Sequence, residues 1–269
     1  MDSRQAKAAA LAAGVCAAGI LSACDVTIRD GDIKGVSMRH QVSQEWTRHY
    51  TLAEGGRVEI VNVDGPIEIA VGPDRTVDVA AVLSTHAMTE DRAKQILSEA
   101  KIEESAGPAH IRVATVRRNR SRGPGGLETS YKVIVPADAR VEVNGNNSDL
   151  TAKGLRHIKA LVVNGVVVLT DMRGSVDAAS VNGHVTARMA EVTDRVRLES
   201  TNGRIALEIP KTAKATLNAR SVNGNIMVTG LKVEEGTGRR IRTLESSLNG
   251  GGPEIDLRVT NGRITIDGK

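Results

Sequence analysis

The side chains best suited to chemistry are scattered in some parts of this chain and periodic in others. Six histidines stand at 40, 49, 86, 110, 157 and 184, without the short spacings that a tetrahedral metal site or a nucleophile–base–orienter triad needs. Ser180, Ser200 and Ser221 each fall two residues before an Asn-Gly pair. A serine that recurs with a structural period reads as a small corner residue, not as a nucleophile. Polysaccharide-cleaving β-helices work through clustered carboxylates. Five positions before each corner the chain carries Glu142, Lys159, Asp177, Arg197 and Asn218, so no two carboxylates fall on successive repeats. These residues assign no catalytic group, cofactor or metal ligand, and the chain reads as a non-enzyme. One cluster is dense enough to bind something: "RRNRSRGPGG" places Arg117, Arg118, Arg120 and Arg122 within six residues. It is either a solvated basic loop, spanning 117–126, or a surface for anionic lipid or acidic glycan, where each Arg contributes roughly 1 kcal/mol. Trp46 and Tyr50 could stack on a sugar or cover the end of a core.

What positions such residues is set by composition. The chain has 269 residues, no Phe, one Trp and two Tyr. Its core must come from Val, Ile, Leu and Ala, which suits repeated strands. A formal charge of +4 is small for this length, and stacking aromatics are missing, so nucleic acid is not an expected partner.

The first residues are an address. Arg4 and Lys7 precede fourteen apolar or small residues, Ala8 to Leu21, a run too short to span a bilayer comfortably and typical of an export signal. Leu21, Ser22, Ala23 and Cys24 follow and resemble the bacterial lipobox, which implies cleavage before Cys24 and lipid on its thiol. Residues 1–23 are then a lipoprotein signal peptide and 24–52 the lipidated Cys with a tether that ends in a first strand. Cys16 leaves with the signal, so the mature chain has no disulfide. Asp25 resembles an inner-membrane retention signal. The expected location is the bacterial cell membrane, lipid-anchored on its periplasmic or surface face.

From residue 53 onward a repeat dominates. With each corner Asn or Asp as zero, apolar residues stand six and four positions before and three and five after: Val196, Leu198, Ile205 and Leu207 around Asn202. The same frame fits Asp64-Gly65, Asn164-Gly165, Asn182-Gly183, Asn202-Gly203, Asn223-Gly224 and Asn261-Gly262. Asn144-Gly145 fails it, because Glu142 would point inward; Asn147 restores it, with Val141, Val143, Leu150 and Ala152 inside. Asn249 is imperfectly framed, and "NGGGPEI" predicts a wider turn. Alternation on both sides of a corner means strand, corner, strand. Asn and Gly tolerate the positive φ that a sharp corner is expected to need. From Asn147 to Asn223 the corners recur every 17, 18, 20 and 21 residues, the period of a solenoid. The reading is an all-β solenoid of about eight coils of ~20 residues over 53–269, with an antiparallel hairpin meander or sandwich as the alternative. Coils stacked in chain order would put Leu198 between Ala178 and Ala219, and Ile205 between Val185 and Ile226. "TEDRAKQILSEA" predicts one inserted helix over 89–100, capped by Thr89 with Glu90 and Asp91 in its first turn, and "SAGPAH" separates it from the strand "IRVATV".

"GGRVEIVNVDGPIEIAV", this helix, "YKVIVPADARVEV", the train of "VNG" and "TNG" corners and the ending "LNGGGPEIDLRVTNGRITI" together resemble the bacterial putative-adhesin family of unknown function, from about residue 50 to the end. The resemblance implies a β-solenoid and carries over no catalytic residue. The expected function is a non-catalytic binding, adhesion or interaction scaffold anchored through Cys24. Its partners would be the membrane, anionic lipid or glycan, or an envelope protein. The alternatives are an envelope-stress regulatory component that binds a signalling partner and, weaker, a polysaccharide-active β-helix enzyme.

Overall fold

The computed structural model describes residues 40–117, 126–233 and 241–269. The expected signal peptide, Cys24, Asp25, Arg118, Arg120 and Arg122 lie outside the described residues. The described residues open with β1 (His40–Thr51), β2 (Arg57–Asp64), β3 (Ile67–Val71) and β4 (Thr76–Ala87), then helix α1 (Glu90–Glu99). Next come β5 (Ala100–Ala106), β6 (His110–Arg117) and β7 (Gly126–Val135). Two-strand coils follow: β8 (Arg140–Asn147) with β9 (Leu150–Lys153), β10 (His157–Asn164) with β11 (Val167–Met172), β12 (Ser175–Asn182) with β13 (Val185–Met189), and β14 (Val196–Asn202) with β15 (Ile205–Ile209). The last elements are β16 (Ala215–Thr229), β17 (Thr243–Leu248) and β18 (Glu254–Gly268), and β16 and β18 each run unbroken through their corner.

Period-two alternation sends every second side chain inward, and successive coils pair in parallel and in register. Val141, Ile158, Val176 and Val196 form one column before the corners. Leu150, Val167, Val185 and Ile205 form one after them. All eight are buried in a single core cluster. The strands before the corners make one wall, those after make a second, and the aliphatic core lies between. The chain is thus a β-solenoid. Among the described residues, antiparallel pairing is confined to the ends: β1–β4–β7 and β5–β6 at one, β16–β17 at the other. The hairpin alternative needs that pairing throughout and does not describe the molecule. Eight levels at ~4.8 Å give a stack of roughly 40 Å.

Stacking order is not chain order. β18 inserts between β14 and β16, parallel to both, and β2 lies between β6 and β8. Leu198 therefore lies between Ala178 and Leu257, and Ile205 between Val185 and Ile264. Ala219 and Ile226, the neighbours expected from chain order, stack on the far side of Leu257 and Ile264. The coils share one inward frame, so that frame fits any coil beside any other. It leaves the order of neighbours open.

The helix spans Glu90–Glu99, with Thr89 Oγ1 accepting from the Arg92 N–H at 3.3 Å. Ala93 and Ile96 bury against Ala87, Val42 and Leu127. The segment after it is a strand, β5, which reaches Ala106 before the turn into β6. Much of the expected tether is also ordered: twelve of its residues form β1, paired with β4 along their whole length. Trp46, Tyr50 and Ile102 pack on the end of the core. Of the two readings offered for Trp46 and Tyr50, the core cover is the one the contacts describe.

Candidate binding surface

The corners take up most of the polar groups that looked chemically capable. Asn147, Asn164, Asn182, Asn202, Asn261 and Asn223 stand in register on six successive levels. Each amide donates to the next Asn Oδ1: Asn164 to Asn147 at 2.9 Å, Asn182 to Asn164 at 2.8 Å, Asn202 to Asn182 at 2.9 Å, Asn261 to Asn202 at 2.8 Å, and Asn223 to Asn261 at 2.8 Å. Asp64 continues the column beside Asn147. The serines two positions earlier are buried. Ser180, Ser200 and Ser221 donate to the carbonyls of Gly165, Gly183 and Gly262 at 3.0, 3.0 and 3.1 Å. They tie one corner to the next.

The corner glycines divide into two groups: Gly65, Gly165 and Gly262 have the expected positive φ, of 107°, 153° and 151°, and the others are needed for a different reason. Gly183, Gly203 and Gly224 are not among the residues with positive φ, nor is any corner Asn. A Cβ on Gly183 would instead lie 1.9 Å from the Gly165 oxygen, and one on Gly203 1.8 Å from the Gly183 oxygen. The backbones of adjacent levels approach too closely for any side chain. The wider turn also uses positive φ, at Asn249, Gly250 and Gly251.

Arg117 is the last residue of β6, not part of a loop. Its guanidinium lies 3.8 Å from the Glu99 carboxylate, with both side chains largely covered, 23% and 12% exposed. It cannot reach outward with the three arginines that follow it in sequence.

The charged residues that gather in space are on the outer face of the first wall. Seven positions before the corners, Arg57, Arg140, His157 and Ser175 occupy successive levels in register. Five positions before, Glu59, Glu142, Lys159 and Asp177 do the same. Glu59 and Glu142 are thus carboxylates on adjacent levels, a pair that chain order conceals. Each is already engaged: Glu59 by Arg112 at 3.1 Å, with His110 Nε2 at 3.5 Å, and Glu142 by Arg57 at 3.5 Å and Lys159 at 3.8 Å. His157 Nδ1 and Ser175 Oγ lie 2.8 Å apart. Arg195 and Arg197 extend the basic side, and Glu199, bonded to Arg197 at 2.7 Å, raises that guanidinium still further above its ordinary range. Between these columns runs an open groove of about 390 Å³, of the size that accepts small ligands. Five cationic side chains line it (Arg57, Arg140, Lys159, Arg195 and Arg197) against two carboxylates, Glu142 and Asp177. The basic column was legible in principle, because Arg57, Arg140, His157 and Arg195 all stand seven residues before a corner. Its members are spread over more than a hundred residues, so no local motif announces it.

Among the described residues no group of three His, Cys, Asp or Glu could hold a metal ion, and no helix is long and apolar enough to cross a membrane.

A two-walled β-solenoid with stacked Asn corners and charged outer columns defines the class of this protein. The chain belongs to the Toastrack DUF4097 family, whose model matches residues 57–267, in keeping with the putative-adhesin family and solenoid that the sequence resembles. Among solved structures it is similar to a putative cell adhesion protein from Clostridium sporogenes ATCC 15579, with 12% identity and a TM-score of 0.48 over 84% of this chain and 100% of that one. It is also similar to a putative adhesin from Bacteroides fragilis NCTC 9343, with 11% identity and a TM-score of 0.33 over 84% of this chain and 97% of that one. No curated protein matches the chain.

Proposed function

We propose that this protein is an exported, lipid-anchored component of the bacterial envelope whose solenoid serves as a non-catalytic binding or adhesion scaffold. One observation carries the reading: the serines, asparagines and paired carboxylates suited to catalysis are engaged in holding coil to coil. What remains for a partner is a rigid wall of charged columns. The signal-like N-terminus and "LSAC" support an anchor at Cys24, which leaves the 40 Å stack standing off the membrane by a short tether, with Asp25 favouring the inner membrane. Arg118, Arg120 and Arg122 are the members of the basic segment proposed to meet anionic lipid or glycan, with Arg117 committed to Glu99. The test of the anchor is the intact mass of the native protein. A mature chain starting at Cys24 with added acyl mass is expected, and Cys24→Ser should accumulate as uncleaved precursor. A mature N-terminus elsewhere without acyl mass would overturn the anchored scaffold.

A further inference from the structure

The groove on the first wall contains an arrangement that costs stability unless something fills it. Arg140 stands in register between Arg57 on one level and His157 on the other, about 4.8 Å from each along the stack. Arg57 and Arg140 are like charges directly opposite one another on neighbouring strands, which is destabilising. The carboxylate two residues along, Glu142, is taken by Arg57 and Lys159. Among the described residues no carboxylate lies within ion-pair distance of Arg140. Arg140 is exposed and lines the groove, and its guanidinium has five donors and no acceptor.

We infer that this groove is a phosphate-binding site in which Arg140 makes the central contact and Arg57 and His157 add contacts from the flanking levels. The chemistry of the acceptor decides between anions. A carboxylate offers two oxygens on one edge, which a single guanidinium satisfies. A phosphate monoester carries about −1.5 to −2 charges and three acceptor oxygens, so it can take donors from two or three levels at once. A guanidinium fork matches phosphate in a bidentate fashion. An anion there also offsets the repulsion between Arg57 and Arg140. The groove is open, so the phosphate is terminal or lies at the end of a larger molecule, either a phosphorylated saccharide or a phospholipid headgroup. The inference rests on the outer wall being a binding surface and not on the anchor. An acyl-free mature protein that still bound phosphate would separate the two.

The test uses the full chain in neutral detergent, with inorganic phosphate exchanged for chloride at constant ionic strength. Phosphate should raise the thermal midpoint of the wild type and broaden the ³¹P resonance. Arg140→Ala should weaken binding about tenfold or more while folding normally in chloride, and Arg188→Ala on the second wall should bind as wild type does. Glucose 1-phosphate and vesicles of phosphatidylglycerol, set against phosphatidylcholine, distinguish the two sources. Whichever binds the wild type and loses Arg140→Ala supplies the phosphate. If phosphate and chloride act alike on the wild type, or Arg140→Ala responds as the wild type does, the site is refuted.

Discussion

The corner glycines allow a sharp test of what holds this solenoid together. In Gly203→Ala the new Cβ would lie 1.8 Å from the Gly183 oxygen, 2.7 Å from its carbonyl carbon and 2.9 Å from Ser200 Oγ, where real contacts essentially never fall below 3.0 Å. The oxygen is backbone and cannot swing aside, so the two levels must part by about 1 Å, enough to forfeit much of each contact across the gap. Three hydrogen bonds cross there: Gly183 N–H to the Asn202 carbonyl at 3.1 Å, Ser200 Oγ to the Gly183 carbonyl at 3.0 Å, and the Asn202 amide to Asn182 at 2.9 Å. At ~1 kcal/mol each, with an added cost for the buried serine left unpaired, the substitution should destabilise by about 3–5 kcal/mol. For a domain of this size that lowers the thermal midpoint by roughly 10 °C. Denaturant unfolding of the full chain measures it, with Gly126→Ala as the control. Among the described residues no heavy atom lies within 4 Å of a Cβ at position 126, so its change should stay within about 0.5 kcal/mol. A loss below ~1 kcal/mol for Gly203→Ala would refute the close-approach argument. So would recovery of stability in Gly203→Asn, because Asn helps only where left-handed backbone is the requirement.

Three further perturbations probe other parts of the molecule. Leu198→Asp sets an unpaired carboxylate between Ala178 and Leu257 in the fully buried core and should cost several kcal/mol, seen as loss of the cooperative transition at 37 °C; a stable, cooperatively folding variant would contradict the stacking. Asn202→Ala breaks two ladder bonds, but these face solvent and water replaces them, so denaturant titration should show only about 1 kcal/mol, well below Gly203→Ala. Burial pushes the Tyr131 hydroxyl, bonded to Thr115 at 2.7 Å, up to about 12 from 10.0; the folded state then holds its proton while the unfolded state loses it, so stability should be intact below pH 10 and fall from pH 10 towards 12, and the slope should flatten in Tyr131→Phe.

Much of this architecture is written in the residues, because the repeat frame is a local property. Shifting one corner from Asn144 to Asn147 followed from Glu142 alone, and Asn147 pairs in register with Asn164. Thr89, Glu90 and Asp91 marked the start of α1 within a residue. What escaped notice lacked local contrast. β5, "AKIEESA", carries charges at three of its seven positions, the look of a loop and the composition of an edge strand. The sequence predicts a first strand only at the end of the tether; β1 is exposed along most of its length, so its alternation is too weak to show where it starts. The groove could not be seen at all from single repeats, since it exists only as a column across levels.

The insertion of β18 shows why a repeat can reveal a fold and still hide its assembly. Every coil offers its neighbours the same inward alternation and the same corner Asn and backbone donors, so the interface energy of one coil on another is similar for many pairings. Chain order is then favoured by short connections, because closing a longer loop costs more entropy, though only about 0.6 kcal/mol for each doubling. That is a small bias, of the same order as one or two exposed ion pairs, at roughly 0.2–1 kcal/mol each. Beside β14, β18 brings Glu254 to 3.3 Å from Arg195 and the nearly buried Asp256 to 3.9 Å from it. β16, placed there instead, would set Asn218 and Thr216 at the equivalent positions, and Arg195 would lose both carboxylates, whereas the Asp256–Arg258 pair lies within β18 and would move with it. Outward charges thus select which coil sits beside which, while the inward frame decides only that they stack. The same division explains the binding surface: the columns that choose neighbours are the ones left facing solvent, and where the selection leaves a cation without a partner, as at Arg140, the wall acquires a place for a ligand.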